Sequence, residues 1–167
     1  SSDTYIEKDS SINDEIDELR HSATSALINY QDTIVVASVS CIYGIGEKEE
    51  YMHKMLILTI GDTIRRNDII NRLIDMAYER NDIDFHRGTF RVRGDIIDIV
   101  PVNEHASGIR IELFGDEIES IRKFDPVTGS ILKNIKSITI SPASHFVTSD
   151  EKMQEAIRRI EAELKDR

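Results

Sequence analysis

Arg91 and Arg93 are the residues of this chain best placed to do chemistry on a partner. They alternate with Phe90 and Val92. That is the period-two pattern of a strand with one buried face, so both guanidinium groups belong on the other face. Two steps of strand separate them, a rise of ~6.8 Å. Gly94-Asp95 reads as a two-residue hairpin turn, because glycine accepts the positive φ such turns need, and Ile96 to Val100 as the returning, mostly apolar strand. Two guanidinium groups held side by side in water suit planar recognition of carboxylates. Arg110 and Glu112 alternate with Ile109, Ile111 and Leu113 on a later segment, so they too face outward.

Other chemistries find less support. Asp82, Asp84 and Asp95 lack the glycine and distal glutamate of a calcium loop, and aspartate is common in turns. His21, His53, His86, His105 and His145 are scattered, without the spacing of a zinc site. Cys41 has no basic neighbour to activate it. No Gly-x-x-x-x-Gly-Lys-Ser/Thr string occurs, so a phosphate-cradling P-loop is missing.

The elements that must position these residues follow from periodicity. Thr4-Tyr5-Ile6 reads as the tail of a strand. Asn13 caps a helix whose apolar stripe runs through Ile16, Leu19, Ala23, Ala26 and Leu27. Thr33 to Val39 is a mostly apolar run rich in β-branched residues, the signature of a parallel strand buried on both faces. A helix and one such strand make no sheet alone, so this stretch reads as a piece of a larger α/β domain. A short helix at Glu49–Lys54, a strand at Met55–Ile60 and an amphipathic helix from Asn67 or Asp68 to about Arg80 come next. After the arginine hairpin, Gly115-Asp116 and Asp125–Gly129 supply turns between Ile109–Ile121 and the strands Ile131–Ile135 and Ser137–Ser141. Strands joined by tight turns, apolar on one face and charged on the other, predict an α+β fold: an antiparallel sheet with the 67–80 helix packed on it. Thr148-Ser-Asp-Glu151 is a capping box that opens a last helix.

With 167 residues the chain holds one domain, or one domain and a fragment of another. No apolar run is long enough to span a membrane. A single cysteine fits a reducing compartment, and the expected location is the cytoplasm. A formal charge of −10 argues against a stand-alone nucleic-acid binder, since phosphate contacts need clustered Lys and Arg.

Six strings carry a strong resemblance to a known family: Asp3-Thr-Tyr-Ile-Glu-Lys-Asp, Leu19-Arg-His-Ser-Ala-Thr, Ala37-Ser-Val-Ser-Cys-Ile-Tyr-Gly, Glu79-Arg-Asn-Asp-Ile-Asp-Phe-His-Arg-Gly-Thr-Phe-Arg-Val-Arg-Gly-Asp, Phe114-Gly-Asp-Glu-Ile-Glu and Ser141-Pro-Ala-Ser-His-Phe-Val-Thr. Together they resemble the UvrB family, the damage-verifying, helicase-like subunits of bacterial nucleotide excision repair. The resemblance covers essentially the whole chain and implies an internal fragment. Residues 1–49 would be a partial helicase segment, residues 50–147 the UvrA-interaction domain, and residues 148–167 a helix returning to the helicase domain. The family's P-loop, magnesium-holding carboxylates and DNA-inserting hairpin are missing, so ATP and Mg belong to the full-length parent. No cofactor, metal or catalytic residue is expected in the fragment. Carried over by motif, the family's UvrA-binding arginines fall on Arg80, Arg91 and Arg93, with Arg110 and Glu112 extending the patch. Lys8 and Arg20 match positions near the DNA path of the full-length protein. The implied partners are UvrA and, in the full-length context, damaged DNA and UvrC. The alternatives are the similar module of a transcription-repair coupling factor and an autonomous DNA-contacting domain.

Overall fold

Alternating apolar and polar residues build a six-stranded sheet in the order β2-β3-β4-β5-β6-β7. Its strands are β2 (Glu79–Arg80), β3 (Thr89–Arg93), β4 (Ile96–Ile99), β5 (Gly108–Phe114), β6 (Glu117–Phe124) and β7 (Ile131–Ile135). A separate antiparallel pair joins β1 (Leu56–Thr59), which follows the short helix α2 (Lys48–Lys54), to β8 (Ser137–Ile140). The computed structural model describes residues 3–42, 48–104 and 107–145. The helix expected after Thr148 lies outside them.

Hairpins at Gly94 and Gly115, both at φ +61°, connect β3 to β4 and β5 to β6. The Gly-Asp turns therefore stand where the sequence puts them. One face of the sheet carries Phe90, Ile97, Ile99, Ile109, Ile111, Ile118 and Ile121, all buried. Helix α3 (Arg66–Asp75) covers this inner face with Ile69 and Leu73, and Leu56, Leu58 and Ile140 of the β1–β8 pair complete the core. The expected α+β class holds.

Four expectations need correction. Helix α1 spans Asp3–Asn29, so Thr4-Tyr5-Ile6 belongs to a helix and Asn13 is interior to it, not its cap. Residues 33–38 belong to no helix or strand, with Ile34 90% and Val36 95% exposed. A parallel strand needs hydrogen-bonding neighbours on its edges, and no strand among the described residues supplies one. Helix α3 begins slightly earlier than expected, at Arg66, and ends sooner, at Asp75. Its N-cap is Arg65, whose guanidinium chelates Asp68 in the first turn. Its last turn closes when Tyr78 N–H reaches Leu73 O and Ala77 N–H reaches Ile74 O, with Ala77 at φ 65°. That left-handed residue turns the chain out of the helix, so Arg80 falls in β2 and not at a helix end. Finally, β2 runs parallel to β3, so the sheet is mixed at one edge.

Candidate docking face

Strand pairing brings one row of residues straight across the face opposite α3. Arg91 of β3 pairs with Asp98 of β4, which pairs with Arg110 of β5, then Arg122 of β6 and Asn134 of β7. Asp98 is only 1% exposed, so its charge needs compensation inside the protein. Arg91 Nε donates to its Oδ2 at 3.0 Å, while Arg110 donates through Nε to Oδ1 at 2.7 Å and through Nη2 to Oδ2 at 2.9 Å. Hydrogen bonding to Asp98 raises the Arg110 pKa above its ordinary value. Glu112, one row along, pairs with Arg122, and Ser120 also donates to it at 2.9 Å.

Aromatic rings close over this row. The Arg91 guanidinium lies 4.2 Å from the Phe85 ring centroid, and that of Arg110 lies 4.8 Å from the Phe124 centroid. Phe85 and Phe124 stack on each other at 6.1 Å, 8° from parallel. Two cations, two rings and one buried carboxylate thus form a small second core on the outer face. Sequence reasoning missed Asp98, Phe85 and Phe124. The signal for Asp98 was a lone acid in an otherwise apolar strand, at the same parity as the arginines across the hairpin.

The sequence expectation of two arginines side by side in water is therefore half right. Arg93 shares Arg91's face and is exposed, and no acid pairs with it among the described residues. Arg91 is largely buried and committed to Asp98. Arg80 is half-exposed and reaches Asp82 at 3.4 Å, a pair weak enough to rearrange for a partner. Arg110 and Glu112 face outward as expected but are spent on internal ion pairs that tie β5 to β4 and to β6.

These residues all fall in one recognisable stretch. Residues 56–146 match the family described as the UvrB interaction domain. The chain belongs to that family. Among similar proteins, the UvrABC system protein B of Geobacillus kaustophilus is 58% identical over 165 residues, 99% of this chain and 25% of the relative. The protein of the same name from Clostridium acetobutylicum is 58% identical with the same coverage, and that of Streptococcus agalactiae serotype Ia is 54% identical over 166 residues. The chain thus spans about a quarter of the length of the curated relatives it matches.

Helix α1 lies outside the UvrB interaction domain match and docks on it through polar groups. Arg87 bonds Asp17 at 3.0 Å, and Asn103 bonds Ser25 at 3.0 Å. Arg20 donates to the Cys41 carbonyl at 3.1 Å, and Lys8 lies in α1 with its side chain outside the described residues. The histidines are less scattered than the sequence implies, because His21 and His145 stack at 3.8 Å, 22° from parallel. With Asp17 they place three ligand atoms within 4.8 Å of one another. Ring nitrogens of stacked imidazoles, however, aim their in-plane lone pairs alongside one another and not at a common point, which suits packing better than chelation.

Burial, then the neighbouring His145, lowers the His21 pKa to about 4, and burial lowers that of His145 as well. A base with a depressed folded pKa is protonated first in the unfolded chain. As pH falls from about 6.5 toward 4, the unfolded state therefore takes up protons that the folded state refuses, and stability declines, levelling below that window. The slope contributed by His21 is at most about 1.4 kcal/mol per pH unit. Urea midpoints measured across this window should fall more steeply for the parent than for His21→Phe, and equal slopes would refute the assignment.

Proposed function

We propose that this chain docks the longer protein represented by its relatives onto UvrA, within excision repair of damaged DNA. The contact surface is the outer sheet face bearing Arg91, Arg93, Arg110 and Glu112, joined at its edge by Arg80 of β2, which is in register with Phe90. The observation that carries the reading is Arg93: an exposed guanidinium with no acid paired to it among the described residues, on a hairpin inside the stretch that matches the UvrB interaction domain. Such a group offers a partner's carboxylate two parallel hydrogen bonds. Arg91, Arg110 and Glu112 fix the strands beneath it, and Arg80 stands ready to exchange Asp82 for an acid of the partner.

The segment acts by binding and not by catalysis. In support, its sequence holds no phosphate-cradling Gly-x-x-x-x-Gly-Lys-Ser/Thr string, and ATP and Mg fall to other parts of the full-length protein. Damaged DNA and UvrC are partners of that larger assembly, in the cytoplasm. Among the described residues, no helix is long and apolar enough to cross a membrane.

Calorimetric titration of the chain into purified UvrA tests the reading. Saturable binding is expected, weakened about tenfold or more by Arg93→Glu, which corresponds to 1.4 kcal/mol or more of binding free energy. The melting temperature of Arg93→Glu should match the parent's, because Arg93 makes no ion pair among the described residues. A folded parent chain that gives no binding overturns the proposal.

A further inference from the structure

The loop from Asn81 to Gly88 is tied down almost everywhere. Asn81 Oδ1 accepts the N–H groups of Ile83 and Asp84 at 3.2 and 2.9 Å, and Asp82 Oδ1 accepts the Val92 N–H at 3.2 Å. His86 N–H donates to Thr89 Oγ1 at 3.1 Å, and the Thr89 hydroxyl donates to His86 O at 2.6 Å. Phe85 is clamped between Phe124 and Arg91. At the middle of this loop the Ile83 side chain is 97% exposed.

A single exposed apolar side chain is ordinary on a protein surface. Ile83 differs in where and how it is held. Its loop is fastened to the same face as Arg91 and Arg110 through Phe85, and it runs between Arg80 and the strand that carries Arg93. A pre-organised loop loses little conformational freedom on binding, so an apolar group displayed on it gives its full burial to an interface. The most exposed apolar residues elsewhere are placed differently: Ile34 and Val36 lie in the segment at 33–38 that joins no sheet among the described residues, and Val127 lies in the turn between β6 and β7.

We propose that Ile83 is the apolar anchor of the docking face, seated in a small apolar socket on UvrA that is rimmed by carboxylates for Arg80 and Arg93. Charge complementarity selects this occupant: the Arg93 guanidinium, which no acid pairs among the described residues, stands exposed on the strand beside the loop in a chain whose net charge is −10, and an acidic rim matches it. An apolar centre with a polar, charged rim is the usual anatomy of an energetically focused interface. The inference rests on the proposed docking to UvrA and adds the residue that seats it.

Ile83→Ser and Ile83→Val, measured beside Arg93→Glu by calorimetry with purified UvrA, test it. The Ile83 side chain is in solvent in the free chain, so both variants should melt with the parent. Ile83→Ser should lose about tenfold or more in affinity, and Ile83→Val should stay within about threefold. The loss from Ile83→Ser should persist at about 0.5 M salt, while the loss from Arg93→Glu shrinks with screening. If Ile83→Ser binds like the parent while Arg93→Glu does not, the anchor is refuted and the docking reading stands. If the folded parent does not bind UvrA, both fall.

Discussion

Replacing Asp98 by alanine should destabilise the chain by about 3–5 kcal/mol, the range for removing one partner of a buried ion pair. Asp98 is 1% exposed and is the shared acceptor for Arg91 and Arg110. Without it, two partly buried guanidinium groups on the strands flanking β4 are left with no counter-charge between them. Their remaining exposure lets water offset part of the loss, so the lower end of the range applies. Asp98→Asn keeps the shape and one acceptor but removes the charge, and it should fall between parent and alanine. Urea denaturation with constant m-values reads both. An Asp98→Ala midpoint within about 1 kcal/mol of the parent would mean that solvent, not Asp98, neutralises these arginines.

The same geometry separates two arginines that look equivalent in sequence. Arg93→Glu adds a carboxylate to an exposed strand end and leaves the internal pairs intact. Arg91→Glu would set a second carboxylate against buried Asp98 and lift the cation from Phe85, so any binding it lost would be confounded with lost structure. Alternation could place both side chains on one face, because strand parity is a local property. It could not show that one is spent internally, because that depends on β4, reached only after the hairpin closes. Residues such as Asp98 are legible only once register is known. The hairpins themselves were legible: Gly94 and Gly115 sit at φ +61°, the conformation for which glycine is the ordinary choice.

What escaped the sequence was set by distant partners. Thr33 to Val39 has the composition of a buried strand, yet burial needs neighbours, and the described residues provide none. His21 and His145 meet only because α1 packs beside the turn after β8. Helix α3 was expected to run to Arg80 because its apolar period continues that far. It stops at Asp75 because Ala77 adopts a left-handed conformation that satisfies the final carbonyls, a choice made by the backbone and invisible in side-chain pattern. That early stop is what frees Glu79 and Arg80 to form β2 beside the arginine strand.

Phe124→Ala should cost about 3–5 kcal/mol, as for other fully buried phenylalanines, and should also weaken docking to UvrA at temperatures where the variant remains folded. Phe124 is fully buried although it lies on the outer face, and it supports both Phe85 and the Arg110 guanidinium. Its loss would open a cavity under the loop that presents Ile83. Directly across the β5–β6 pairing stands Gly108, where a Cβ would come within 2.7 Å of the Phe124 ring. The ring therefore lies over bare backbone, and Gly108→Ala alone should cost about 1–3 kcal/mol by overpacking. In the Phe124→Ala background the added methyl meets open space, so its cost should largely vanish. A four-member denaturation cycle should then give a coupling of about 1–3 kcal/mol between the two positions. Additive costs would show that the ring and the glycine are independent, and that the outer-face core is held by the arginine–carboxylate row alone. A positive coupling together with reduced UvrA affinity would tie the docking loop to this one stacked ring. The path runs from a glycine that admits Phe124, to Phe85 stacked upon it, to the isoleucine held in solvent.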